Sequence, residues 1–398
     1  MSKGSSGLKV CFVRFRRIYR SGEMPKIRVV YFQQNLAIGA CEEYLCLLME
    51  GMDKGLFEVM LACPDAVALD PLVRRSEDAG IKVYRYPLSL NSYLRIKFLY
   101  SLFYRLKPDI AHFNDPCPDG IIAGALSGVP ILIMTHHTPE LNRKYNLKGR
   151  IFERIAFSYC RLNFIFTSEY DKDTAVKKDR IAPKRGFVVY YGLPPVRFAQ
   201  KYNKKEIYAE FSLDEKCRLV ANIARLSAQK GQRYLIEAAA MVIQENKSVK
   251  FFFVGEGELE AELKELIRRR ALEDYFIFTG YRGDIPRLLS AFEILVMPSL
   301  FEGLCFAALE AQAMGVPVIA ARVGGMRRSV SDGITGILVP PSDAAALAKA
   351  ILRMLGHPRE AQAMGLAGKR YFTELFTQER MVNNTVAIYK SLFAKLSR

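Results

Sequence analysis

Four places in the chain combine residue types that could hold an anionic, hydroxyl-rich ligand. The first is the run Asn222-Ile223-Ala224-Arg225-Leu226-Ser227-Ala228-Gln229-Lys230-Gly231, in which two cations stand between an apolar strand and a helix. At a strand end and a helix start, Arg225 and Lys230 can converge on one phosphate pair, and the helix N-terminus adds unpaired N–H groups. The second is Phe301-Glu302-Gly303-Leu304-Cys305-Phe306-Ala307-Ala308-Leu309-Glu310. A helix starting near Cys305 would carry Glu310 and leave Glu302 on the loop before it, with Gly303 letting backbone approach a ligand. The third is the small-residue loop Gln34-Asn35-Leu36-Ala37-Ile38-Gly39-Ala40, whose backbone N–H groups a phosphate could reach. The fourth is Thr135-His136-His137-Thr138, with His112 closing the neighbouring strand. Each has a plainer reading when taken singly: solvated surface cations, a chance pair of glutamates, a histidine satisfied inside the core.

What positions these residues is an alternation of strands and helices. Apolar runs at Ile27–Phe32, Val59–Ala62, Ile81–Arg85, Ile110–Phe113 and Ile131–Thr135 predict strands, with helices over Glu42–Met52, Pro71–Asp78, Leu94–Leu106 and Gly120–Leu126. After the Gly192–Pro195 punctuation a second series begins: strands Arg218–Ile223, Val249–Val254, Phe276–Phe278, Ile294–Met297 and Val318–Ala320, with a long helix over Gln232–Gln244. This implies two α/β domains with doubly wound, mostly parallel sheets. In such sheets ligands sit beyond the carboxyl ends of the strands, which is where all four places fall. The expected layout is a basic extension over 1–25 with an edge strand at Val10–Phe15, domains over 26–195 and 196–375, and a final helical segment over 376–398.

A chain of 398 residues, half of them hydrophobic, has ample core material for two domains. Its eight cysteines form no C-x-x-C pair, so reduced thiols are expected rather than a disulfide scaffold or zinc ribbon. The longest nearly apolar run, Gly120 to Thr135, is shorter than the ~20 residues a spanning helix needs. No signal peptide is read, and a cytoplasmic protein is expected. The 58 basic and 41 acidic residues give a net charge of +17, concentrated in the first half. That field favours phosphates or anionic headgroups. No nucleic-acid module signature accompanies it, so nucleic acid is not an expected partner. The segment Tyr93–Lys107 interleaves Leu94, Phe98, Leu102, Phe103 and Leu106 with Arg95, Lys97, Arg105 and Lys107. It is read either as a sheet-packing helix with solvated cations or as a peripheral contact with an anionic inner membrane face.

The combination is more specific than its parts. Arg225…Lys230-Gly231, Val254-Gly255-Glu256-Gly257, Phe278-Thr279-Gly280-Tyr281, Pro298-Ser299…Glu302-Gly303…Glu310-Ala311…Gly315-Val316-Pro317-Val318-Ile319, Gly324-Gly325 and Asp332-Gly333…Gly336-Ile337-Leu338-Val339-Pro340-Pro341…Asp343 follow in one order. The chain strongly resembles the retaining nucleotide-sugar glycosyltransferases of the GT-B fold, family four (group 1). The likeness is strongest over 218–345. It implies two Rossmann-like domains facing across a cleft, the first on the acceptor side and the second binding the donor, with the last helix returning to the first domain. By position it implies that Arg225 and Lys230, with Gly231, hold the donor diphosphate, that Glu310 binds the ribose, and that Glu302 lies beside the donor sugar. Leu304–Phe306 after Gly303 would contact phosphate and sugar, Gly280, Tyr281 and Arg282 the base, and His137 the transferred sugar. Gly39 and Ala40 stand where the family commonly has Gly-Gly.

Two further departures are Tyr191-Gly192, where Asn-Gly is usual, and Arg327-Arg328, where Pro-Glu is usual. The implied activity is metal-independent, cofactor-free transfer of a sugar from a nucleotide-diphosphate donor to a sugar or lipid-linked acceptor. Breaking the sugar–phosphate bond puts charge on the diphosphate, and fixed cations would stabilise it in place of a metal. The alternatives are a degenerate scaffold or partner subunit that binds nucleotide without transfer, or an epimerase or phosphorylase on the same fold.

Overall fold

A computed structural model describes residues 26–36, 39–137, 160–179 and 181–396. The expected basic extension 1–25 with its Val10–Phe15 strand, and Ala37, Ile38 and Thr138 of the motifs, lie outside the described residues. The chain divides into two units: one runs up to Val189 and resumes at Glu379, and the other is Tyr190–Gln378.

In the first unit seven described strands form one parallel sheet. They are β1 (Ile27–Phe32), β2 (Phe57–Asp65), β3 (Lys82–Pro87), β4 (Ile110–Phe113), β5 (Ile131–His136), β6 (Asn163–Phe166) and β7 (Gly186–Val188). Their order is β3-β2-β1-β4-β5-β6-β7. The central strands are buried over most of their length, with largely apolar residues, because helices cover both faces. Those helices include α1 (Ala40–Gly51), α2 (Asp70–Asp78), α3 (Ser92–Leu106), α4 (Pro118–Leu126) and α5 (Glu169–Lys178). Local chemistry sets their ends. Asn91 Oδ1 accepts from Leu94 N–H to open α3, and Lys107 closes it in the left-handed region at φ 45°.

The second unit repeats the plan with β8 (Arg218–Ile223), β9 (Val249–Val254), β10 (Phe276–Gly280), β11 (Ile294–Met297), β12 (Val318–Ala321) and β13 (Gly336–Val339). They are ordered β10-β9-β8-β11-β12-β13, all parallel. Its helices are α6 (Lys205–Glu210), α7 (Gln232–Glu245), α8 (Glu260–Arg269), α9 (Ile285–Leu289), α10 (Phe306–Met314), α11 (Met326–Ser329), α12 (Ala344–Gly356) and α13 (Pro358–Leu375). Alternate residues of β8 feed opposite core layers, Val220 against α7 and α12, Leu219 and Ala221 against α9 and α10. In both sheets the order reverses beside the first strand, between β1 and β4 and between β8 and β11. Those are the two switch points where ligands bind in such folds.

Division falls after Val189 because the next residues pair with the far end of their own unit. Leu193 N–H donates to Phe376 O at 2.9 Å, and Gln378 N–H to Leu193 O at 3.0 Å. A side chain on Gly192 would stand 2.2 Å from Thr377 O, so backbone there touches backbone. The last helix, α14 (Gln378–Leu396), belongs to the first unit. Its buried Tyr389 hydroxyl meets Tyr31 OH at 3.0 Å and His112 Nδ1 at 2.5 Å.

Candidate active site

At the second switch point the loops after β8 and β11 are stitched together by hydrogen bonds. Buried Asn222 donates to Val296 O at 2.8 Å, and Gln232, opening α7, donates to Asn222 Oδ1 at 3.3 Å and Arg225 O at 3.0 Å. Gln229 N–H₂ reaches Phe301 O at 3.1 Å, and Leu300 N–H returns to Gln229 O at 2.8 Å. Gly231, at φ +65°, could carry no side chain, since its Cβ would lie 2.2 Å from Pro298 O. Gly324, at φ +41°, would meet Glu302 O at 2.0 Å.

This frame delivers Lys230 Nζ to Glu302 Oε2 at 2.5 Å, with Ser299 Oγ 3.3 Å from the same oxygen. Burial alone would lower the Lys230 ammonium, but the neighbouring Glu302 carboxylate outweighs it and the group is held above its ordinary value. Arg225 is exposed, makes no side-chain hydrogen bond or ion pair with the described residues, and is close enough for its charge to act on Lys230. One cation is thus seated and the other left open. Glu310 lies one turn into α10, almost buried, and pairs with Arg197 at 3.3 Å. Arg197 sits on a short 3-10 turn, Pro195–Phe198, and no local pattern in the sequence marks it. Cys305 precedes α10; burial pushes its thiol up to about 11, leaving it neutral beside the loop. Tyr191, the departure from Asn, stacks flat on Phe306 at 4.7 Å and so braces the Leu304–Phe306 turn after Gly303.

Gly280 ends β10, and Tyr281, just after it, is 78% exposed. Arg282 does not share that openness. Its guanidinium is gripped by Asp284 at 2.7 and 2.8 Å and by Glu210 at 2.6 Å, so it shapes the loop from behind. Arg328 is likewise withdrawn, its guanidinium over the rings of Tyr190 (4.7 Å) and Tyr371 (5.8 Å). Arg327 remains exposed.

The first unit holds the remaining residues. Gly39 caps α1 and Ala40 begins it, both exposed. Gly39 has extended backbone at φ 176°, a conformation open to any residue. His137 is buried just past β5, its Nε2 3.0 Å from Asn114 Oδ1 and its ring edge-on to Tyr44 at 5.2 Å. Asn114 in turn donates to Gln33 Oε1 at 2.8 Å, and Gln33 donates to Glu42 Oε1 at 2.8 Å. Burial lowers His137 to about 3, so it is a neutral imidazole at physiological pH. Burial also raises Glu42 to about 7 and Asp115 to about 6. His112, by contrast, is enclosed between Tyr389 and Thr135 Oγ1 (2.7 Å) and is structural.

One pair of aspartates, Asp171 and Asp173, has the Asp-x-Asp spacing found in some metal sites. In Asp171-Lys172-Asp173, however, Asp171 is buried at the start of α5, accepting from Ser168 Oγ at 2.7 Å and Thr167 Oγ1 at 3.2 Å. It caps a helix.

Known families match both halves. The model described as Glycosyltransferase Family 4 covers residues 41–197, and that described as Glycosyl transferases group 1 covers 217–357. The UDP-Gal:alpha-D-GlcNAc-diphosphoundecaprenol alpha-1,3-galactosyltransferase of Escherichia coli is 27% identical over 83% of this chain and 88% of its own length. The alpha-D-kanosaminyltransferase of Streptomyces kanamyceticus is 34% identical over 60% of this chain and 64% of its own. Among solved structures, a glycosyltransferase from Rickettsia africae shares 19% identity at a TM-score of 0.80, covering 92% of this chain and 98% of that one. Anabaena HepE in complex with UDP-glucose shares 20% at 0.78, covering 92% and 100%. With both units matched and the two-sheet GT-B fold in place, the chain belongs to the group 1, family 4 glycosyltransferases.

Proposed function

We propose that the protein transfers a sugar from a UDP-linked donor to a sugar or lipid-linked acceptor, with retention at the anomeric carbon and without a metal. The observation carrying this is the Lys230–Glu302 pair beside the unpartnered Arg225 at the second switch point. As the anomeric C–O bond to phosphate breaks, negative charge grows on the diphosphate. Arg225 and Lys230 stand pre-positioned to meet it, together with the first N–H groups of α10. Glu302 orients Lys230 and lies beside the sugar, Glu310 takes the ribose hydroxyls, and exposed Tyr281 offers a ring face to the base. Neutral His137 serves as a hydrogen-bonding partner for a sugar hydroxyl. UDP is favoured because the Escherichia coli relative is named for UDP-Gal and HepE was crystallised with UDP-glucose. The test incubates the protein with UDP-sugars and an acceptor panel, with and without EDTA, and reads the product anomer by NMR. An inverted product, or activity abolished by EDTA and restored by Mg²⁺, would overturn the corresponding part. UDP binding without transfer across the panel would instead favour the scaffold.

A second reading concerns where the acceptor lies. Among the described residues no helix is long and apolar enough to cross a membrane. Yet α3 turns Tyr93 (74% exposed), Leu94, Phe98, Tyr100 and Tyr104 outward, with Lys97, Arg105 and Lys107 also exposed. Leu102, Phe103 and Leu106 point into the core instead, and Arg95 is committed to Asp119 at 3.1 Å. An aromatic, cationic outer face suits an anionic lipid surface. Co-sedimentation with anionic but not neutral liposomes is expected, and equal pelleting with both, or none, would remove this reading.

A further inference from the structure

Both glutamates of the segment after β11 are met by a cation from further up the chain. Lys230 reaches Glu302 at 2.5 Å, and Arg197 reaches Glu310 Oε1 at 3.3 Å. The Glu310 side chain, on α10, is 10% exposed, and that of Arg197 is 33% exposed. Withdrawing a carboxylate from water is costly unless a cation compensates it, and Arg197 is such a cation.

The turn that carries Arg197 is fastened from several sides. Pro194 and Pro195 fix two successive φ angles just before it. Arg197 N–H donates to Pro194 O at 3.1 Å, and Ala199 N–H to Val196 O at 3.2 Å. Phe198 is buried and packs edge-on against Phe372 of α13, ring centroids 5.8 Å apart. Val196, in contrast, is exposed. The turn thus sends Phe198 inward, Val196 outward and Arg197 to Glu310. A planar guanidinium on anchored backbone gives up little further freedom in keeping one contact, so it can fix its partner's orientation. A carboxylate offers about four acceptor sites, so a glutamate in an ion pair can still accept from hydroxyl groups.

We infer that Arg197 is a positioning residue that aims the Glu310 carboxylate at the ribose and so sets the preference of the donor site for a ribonucleotide. This rests on the reading above in which Glu310 takes the ribose hydroxyls. Arg197 acts through Glu310 and touches no part of the donor itself. Removing the guanidinium leaves the carboxylate uncompensated and free to turn, and only the hydroxyl contacts are lost.

The test measures binding of UDP and of 2′,3′-dideoxy-UDP to the full-length protein by calorimetry. A hydroxyl held by a charged group is worth about ten- to a hundredfold in affinity, so the wild type should prefer UDP by about that factor. E310A should bring the two nucleotides within about twofold of each other. R197M keeps the aliphatic stem; it should weaken UDP about tenfold and leave the dideoxy compound within about twofold of wild type. R197Q should behave alike, and decides alone if R197M does not fold. R197K, which keeps the charge without the planar fork, should recover part of the preference. The double variant R197M/E310A should bind UDP as E310A does, because the two residues act as one unit. Equal weakening of both nucleotides marks a purely structural role for Arg197 and overturns the inference, as does an undiminished preference in R197M or R197Q while E310A has lost it. If the wild type shows no preference, or E310A retains it, the ribose reading of Glu310 itself falls and the inference with it.

Discussion

The two sheets share one strand order but carry opposite chemistry at their switch points. Beyond β8 and β11 stand two cations, one pinned by Glu302 and one open, over a backbone packed so tightly that Gly231 and Gly324 admit no side chain. Beyond β1 and β4 stands a neutral and acidic network of Gln33, Glu42, Asn114 and His137, in which no described cation takes part. On the function proposed above, one end would hold a fixed polyanion and the other would exchange hydrogen bonds with hydroxyl groups. Topology chooses where ligands go, and side chains choose what they are.

The sharpest test of this contrast removes charge at the basic end. Arg225→Ala should lower transfer by on the order of a hundredfold, more in turnover than in UDP binding, because leaving-group charge peaks in the transition state. Since Arg225 has no described partner, the melting temperature should barely move. Steady-state kinetics beside calorimetry of UDP binding decide it; unchanged turnover would erase the contrast. Next, Gly324→Ala should cost on the order of 1–3 kcal/mol in thermal melts and depress transfer with it, because the new Cβ would displace Glu302 O. Full activity with a normal melt would show that the tight packing is not what aims Glu302.

At the acidic end the effect depends on pH. Burial holds Glu42 near 7 in the folded protein against an ordinary value of 4.5. A raised carboxyl contributes stability that is complete below about 4.5 and is lost as pH climbs through about 7. Glu42→Gln stays neutral throughout, so its stability relative to wild type should improve from pH 5 to pH 8 by up to about 3 kcal/mol. An equal difference at both pH values would contradict an uncompensated carboxyl. The smallest effect belongs to the basic end. Arg328→Ala should lose its two ring contacts, costing roughly 0.5–2 kcal/mol, with KM for the donor near wild type. A large KM change would mean that Arg328 faces the donor after all.

The residues that follow apolar runs directly were legible: Arg225 after β8, Glu302 after β11 and His137 after β5 all sit where strand ends place them. The helix expected near Cys305 begins at Phe306 and carries Glu310. What stayed hidden depends on partners distant in the chain. Arg282 resembles an open loop cation until Glu210 closes on it from α6, and the Arg197–Glu310 pair joins a turn to a helix across more than a hundred residues. Similarly, the alternation in α3 marks a buried side, but only packing shows that Arg95 leaves the cationic face for Asp119. The Asn114 network joins residues from three loops, none of which forms a pattern alone.

The placement of α14 also bears on the order of events during synthesis. Because the second unit is one unbroken stretch, Tyr190–Gln378, it can complete its own sheet while the chain is still emerging. The first unit cannot. Tyr31 and His112 precede the second unit in the chain, yet the hydroxyl they share, that of Tyr389, is made only after that unit. The unit begun first is therefore finished second, and a ribosome stalling before residue 389 would release a protein whose second unit is whole and whose first is still waiting for its keystone.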